Sequence, residues 1–212
     1  SPRRDPVPTN LVELTRFLRR ESRRAHAEGA GWQAVVDELR PFTLDVWADM
    51  SIADRTRFVR HLRPWWEIHR HRMAPSVAER IHAAIDRGQL RIRAGRVQSF
   101  RLRAADVDVF YRRRGTDIVE SLTAVRVVNC SGPSCDYGRI THPLVRSLLE
   151  SGQVRPDPMR LGLDVTSSCA LKDRKGAISG RLFAVGPVTK GAFWEMTAVP
   201  DIRRQCEFLA GH

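Results

Sequence analysis

The residues best placed to do chemistry lie almost at the end of the chain, in RLFAVGPVTKGAFWEMTAVPDIRRQC, residues 181–206. Gly186 and Pro187 follow an apolar run, Trp194 comes next, and a helix start is expected around Thr197 and Ala198. A strand, a tight turn and a helix start in that order present backbone N–H groups beside the positive end of a helix dipole, the usual way to hold a phosphate. VVNCSGP, residues 127–133, repeats the apolar-run-then-glycine pattern. GAGWQA, residues 29–34, matches the letters of a dinucleotide fingerprint. That motif needs a buried strand directly before its first glycine. SRRAHAE stands there instead, so a loop between two helices is the better account.

Other candidates fall away on spacing. HLRPWWEIHRHRM gathers His61, His69 and His71 with Trp65 and Trp66, but no Asp or Cys joins them in a familiar metal spacing. Histidines at the rim of a tryptophan core explain the cluster better than metal binding or base stacking. Cys130 and Cys135 flank the turn NCSGPSC as a conceivable redox pair without an evident activating base. Asp106 and Asp108 alternate on an expected strand and are read as solvent-facing. Neither a nucleophile elbow nor a Walker loop is present. No residue qualifies as a catalytic acid, base or nucleophile, and no metal site is expected.

These features need a scaffold, and 212 residues with 42% hydrophobic content can bury a sizeable core as one domain or two small units. No run approaches the ~20 apolar residues of a membrane span, and SPRRDPVPTN lacks the apolar segment of a secretory signal. Four cysteines without a disulfide rhythm fit a reducing compartment, so a cytoplasmic protein is expected. The net charge is +12, yet only Lys172, Lys175 and Lys190 are lysines and the arginines spread through every segment. A solvated basic surface is favoured over a nucleic-acid face.

Helices are expected up to residue 88. Asn10 with Glu13 resembles a capping box ahead of Leu11, Leu14 and Leu18; Trp32, Val35, Val36 and Leu39 share a second helical face; Val46, Trp47 and Met50 suggest a short third. Ser51 with Asp54 caps a fourth helix that Pro64 ends or kinks. In APSVAERIHAAIDRGQL, Ser76 and Glu79 read as a capping box, with Val77, Ile81, Ala84 and Ile85 inward and Gly88 as terminator. From Gln89 the period becomes two, as in half-buried antiparallel strands. AVRVVNCSG reads as a buried strand of an α/β sheet, THPLVRSLLESG as a helix, LGLDV and ALKDRKGAI as small strands, and 182–185 as a buried strand before the last helix.

On these residues the chain resembles the C-terminal half of bacterial FAD/NAD(P)-binding proteins, flavoprotein-like chains with two dinucleotide-binding domains. DELRPFTLDVWADMSIADRTRFVRHLRPWWEIHRHRMAPSVAERI is similar to that family's helical insertion, VVNCSGP to its crossover strand, and RLFAVGPVTKGAFWEMTAVPDIR to its closing flavin-binding segment. The resemblance implies an α/β fold: a helical unit, 1–88, then an incomplete Rossmann-like unit, 89–212, with a small antiparallel sheet. It also implies FAD and NAD(P) as cofactors of the full-length parent, hydride transfer between them, and the missing N-terminal FAD-binding half as partner. This chain alone is expected to hold no flavin and to be inactive. Gly186 and Pro187 would pass close to the ribityl and phosphate region, Trp194 would line the flavin pocket, and Thr197 and Ala198 would aim amides at the pyrimidine oxygen. Asn129 and Gly132 would mark the crossover. Related chains carry Asp after the glycine where this one has Pro187, so contact there is steric or comes from neighbouring backbone. The reading that competes with it is a basic helical module binding nucleic acid or an acidic partner.

Overall fold

A computed structural model describes residues 6–132 and 134–211. The fold is mixed α+β, and the chain divides into two compact units: residues 1–72 with 134–212, and residues 73–133 inserted between them. The boundary expected at residue 88 therefore falls elsewhere, because the last helix of the expected helical unit groups with the sheet that follows it.

The first unit opens with α1 (Leu11–Ala27), whose N-cap Asn10 accepts the amides of Val12 and Glu13 at 3.0 and 3.2 Å. Leu11, Leu14 and Phe17 recur at helical spacing and are buried. After a loop in which Gly29 adopts φ 77° come α2 (Trp32–Leu39), α3 (Thr43–Asp49) and α4 (Ile52–Arg57). Ser51 caps α4 by accepting the Asp54 amide, and the Asp54 carboxylate accepts the Leu11 amide at 3.4 Å, tying α4 to the start of α1. A π-helical turn, Phe58–Leu62, precedes α5 (Arg63–Arg70). Pro64 lies in the first turn of α5; it has no N–H to give, and the widened turn just before it takes up the misfit.

The same unit resumes with α7 (Pro143–Glu150), a ribbon of β4 (Ala170–Lys172) and β5 (Ile178–Phe183), and α8 (Val199–Ala210). Leu11, Leu14, Phe17, Val46, Trp47, Met50, Leu161 and Trp194 form one core, so the two ends of the chain share it. Each such side chain contributes about 1.5–3 kcal/mol by leaving water. Val154, Leu163, Val165 and Leu171 form a second cluster. Beside it Asp164 pairs with Arg155 at 2.6 Å and Lys172 at 3.0 Å.

The inserted unit carries α6 (Pro75–Asp86) and an antiparallel sheet in the order β1 (Gly95–Leu102), β2 (Val107–Arg113), β3 (Val119–Ala124). Leu102–Val107–Ala124 and Phe100–Val109–Leu122 stand opposite one another on one face, Arg101–Asp108–Thr123 on the other. A register shift between Val97 and Ser99 marks a bulge.

Several expectations are corrected here. Residues 125–130 form no strand: Val125 is 88% and Val128 71% exposed, since no neighbouring strand flanks them. Pro133, the end of that expected turn, and residues 1–5 lie outside the described residues. Every strand pairing among the described residues is antiparallel, where a buried α/β strand was expected at 182–185; β5 instead pairs with β4 as a ribbon, and Phe183 is exposed. Ser76 caps nothing: Ala74 is the N-cap of α6 and Pro75 its first residue, so Ser76 sits inside the first turn. No residue of α6 is fully buried. Asp108 is 4% exposed rather than solvent-facing, because Arg103 and Thr123 both bond its carboxylate.

Candidate functional site

Residues 186–198 run as a chain of anchored positions. Gly186 adopts φ 81°, a left-handed conformation in which glycine carries no penalty. Its N–H donates to Gln205 Oε1 at 2.6 Å, and its carbonyl accepts from Thr189 Oγ1 at 2.8 Å. Gln205 Nε2 donates to that same hydroxyl at 3.1 Å, closing a ring of bonds around a threonine with no exposed surface. The Gly186 amide is therefore spent inside the protein, and exposed Pro187 has none to offer. Beside this ring burial pushes the Cys169 thiol up, with Gln205 pulling the other way.

The next anchor is a loop folded around one carboxylate. Asp157 accepts the amides of Met159, Leu161 and Gly162 at 2.9, 2.6 and 2.7 Å. Burial pushes the Asp157 carboxyl up against the pull of those donors. Glycine is required on both sides of the contact. A Cβ on Gly191 would sit 2.4 Å from Asp157 Cγ, and one on Gly162 would sit 2.0 Å from the Val188 carbonyl oxygen. The Gly191 carbonyl in turn accepts Trp47 Nε1 at 3.0 Å.

Trp194 is 2% exposed and stacks on Trp47 with centroids 4.8 Å apart, while Phe58 meets it edge-on at 5.1 Å. The Lys190 ammonium lies 4.8 Å from the Trp194 ring centroid, and burial together with Arg63 pushes Lys190 down. Glu195 holds φ 65°, uncommon for a residue with a side chain, and is fixed there by Trp66 Nε1 at 2.5 Å and Arg70 Nε at 3.2 Å.

Exposed Thr197 and half-buried Ala198 then lead into α8, whose N-cap Ala198 offers no side-chain bond. Among the described residues the amides of Ala198 and Val199 have no protein acceptor, and Pro200 carries none. A free helix start favours an acceptor by about 0.3–1 kcal/mol, and Asp201 in the same turn, bonded to Arg204 at 2.7 Å, works against a full anion.

Of the five residues singled out in the sequence, Gly186 and Pro187 form a turn closed by Gln205, Thr197 and Ala198 form the free start of α8, and Trp194 is packed between them in the core. Only Trp194 among these five borders the apolar cavity of about 440 Å³ in the helical cluster. Asp157, Gln205 and Glu195, which position this segment, carried no functional signal in the sequence. His69 shares a 2.7 Å bond with the Trp65 carbonyl and packs edge-on against Trp32, while His61 and His71 are exposed. Among the described residues no three His, Cys, Asp or Glu side chains gather to hold a metal, and none of the four cysteines is in a disulfide. No helix among them is long and apolar enough to cross a membrane. Compared with known proteins, the chain matches no family model, no curated protein and no solved structure.

Proposed function

We propose that this chain is the C-terminal part of a two-domain FAD/NAD(P)-binding oxidoreductase, a piece of a Rossmann-like parent, with residues 186–198 as the closing wall of its flavin site. The observation that carries the reading is the pairing of a rigid run, pinned by Gln205, Trp47 and Trp66, with a helix start whose first amides are free. FAD in the parent would supply hydride exchange with NAD(P)H. The amides of Ala198 and Val199 suit a neutral acceptor that gains charge, such as a carbonyl oxygen of the flavin ring. The Gly186–Pro187 turn suits steric contact only, so no phosphate bond is assigned to it. The ADP-binding contacts would come from the missing N-terminal half, and the chain alone would hold no flavin. Cysteines outside any disulfide fit a cytoplasmic setting.

Purification of the full-length parent tests this reading. A yellow protein that takes up FAD stoichiometrically supports it; a colourless parent that takes up no added FAD removes it. The competing reading, a basic helical module for nucleic acid or an acidic partner, draws on the +12 charge and the arginines among Trp65, Trp66, His69 and His71. It requires oligonucleotide or polyanion binding that weakens steeply with salt.

A further inference from the structure

The cavity between α1, α2, α3, the π turn and α5 holds about 440 Å³, inside the usual size of small-molecule sites, roughly 300–1,000 Å³. An apolar cavity of about 150 Å³ takes one benzene, so this one has room for about three rings. Trp32, Trp47, Trp65, Trp66 and Trp194 all border it. Thr15, Ser22, Thr43 and His69 add polar groups to the lining, and its charged members are arginines. Arg19 and Arg23, one turn apart on the same side of α1, both border the cavity. Their neighbours Arg20 and Arg24 pair with Glu21 and Glu28, whereas among the described residues Arg19 and Arg23 pair with no carboxylate.

We propose that this cavity binds a planar aromatic acid, its rings among the tryptophans and its anionic group against Arg19 and Arg23. Everything it needs lies in the helical cluster and its Trp194 floor, so it holds or fails independently of any flavin. The test titrates the chain with 2-naphthoate and with naphthalene-2-carboxamide, alike in shape and different in charge, following tryptophan fluorescence and heat of binding. Saturable binding is expected, with the acid about fivefold or more tighter than the amide, the scale of an exposed ion pair. Arg19→Gln with Arg23→Gln removes that preference, and Leu18→Trp, which fills the space from α1, removes binding of both compounds. Should Leu18→Trp fail to fold, the arginine pair on the exposed helix face still decides. Absence of binding at millimolar naphthoate, equal affinity for acid and amide, or an acid preference that survives the double arginine change overturns the proposal.

Discussion

Replacing Asp157 with alanine removes the two carboxylate oxygens that accept three amides in the loop packed against Gly191. Its Oδ2 receives the Leu161 and Gly162 amides at 2.6 and 2.7 Å in buried surroundings, and Oδ1 receives Met159 at 2.9 Å, partly buried. A buried donor left without a partner costs about 1–3 kcal/mol, so the two buried amides alone set a scale of about 2–6 kcal/mol. Relief of a carboxylate that burial disfavours offsets part of this, and a net loss of about 3 kcal/mol is expected. Urea unfolding followed by tryptophan fluorescence reads it as a lower midpoint at unchanged slope. Gly191 supplies an internal control, because a methyl there would meet Asp157 Cγ at 2.4 Å. Gly191→Ala alone overpacks the contact by about 1–3 kcal/mol. With Cγ and Oδ1 gone in the Asp157→Ala background, the double variant costs less than the sum of the two by about 1 kcal/mol. A loss below about 0.5 kcal/mol for Asp157→Ala, or strict additivity, refutes the account of this carboxylate as the loop's organiser.

Gly186→Ala meets only Ile202 atoms at 3.8 Å or more, so it costs about 1–2 kcal/mol from its positive φ alone, whereas Gly162→Ala collides with the Val188 oxygen and costs more; thermal melts of the two rank them. Thr123 and Arg103 hold the Asp108 carboxyl below its ordinary 3.8, so its contribution is present above that value and fades as pH falls through the folded-state pKa. The Asp157 carboxyl, pushed up by burial, contributes fully below 3.8 and loses that contribution as pH rises through its folded-state pKa. In denaturation across a pH series the wild-type advantage over Asp108→Asn shrinks toward acid, and that over Asp157→Asn shrinks toward neutral. Parallel curves for the two variants contradict this. Thiol reagents modify exposed Cys130 and Cys206 in the native protein and reach Cys169 only on unfolding, which peptide mapping of labelled sites checks.

The helical half was legible because its signals are local. Asn10 and Ser51 cap where their types predict, and Leu11, Leu14, Val35, Leu39 and Trp47 face inward at the expected period. Apolar runs misled where burial depends on distant partners. Val125, Val127 and Val128 have the composition of a buried strand and no neighbouring strand to pair with. Asp108 alternated like a surface residue, and its burial follows from Arg103 and Thr123 closing over it, a fact of register rather than pattern. In residues 182–199 the turn and the helix start stand where the sequence placed them, whereas the buried strand before them does not. The supports of this segment, Gln205 19 residues away and Trp66 129 residues away from their partners, leave no trace in spacing.

The long reach of the Trp47 bond to Gly191, 144 residues along the chain, has a consequence during synthesis. At about 5–20 residues per second the ribosome needs roughly 7–30 s to bridge that interval. Helices α1 to α5 therefore emerge well before the tryptophan that completes their core exists, while the inserted unit between them has time to form first. Nascent chains stalled before residue 191 would carry an open aromatic surface, a natural target for chaperone capture until residues 191–194 dock.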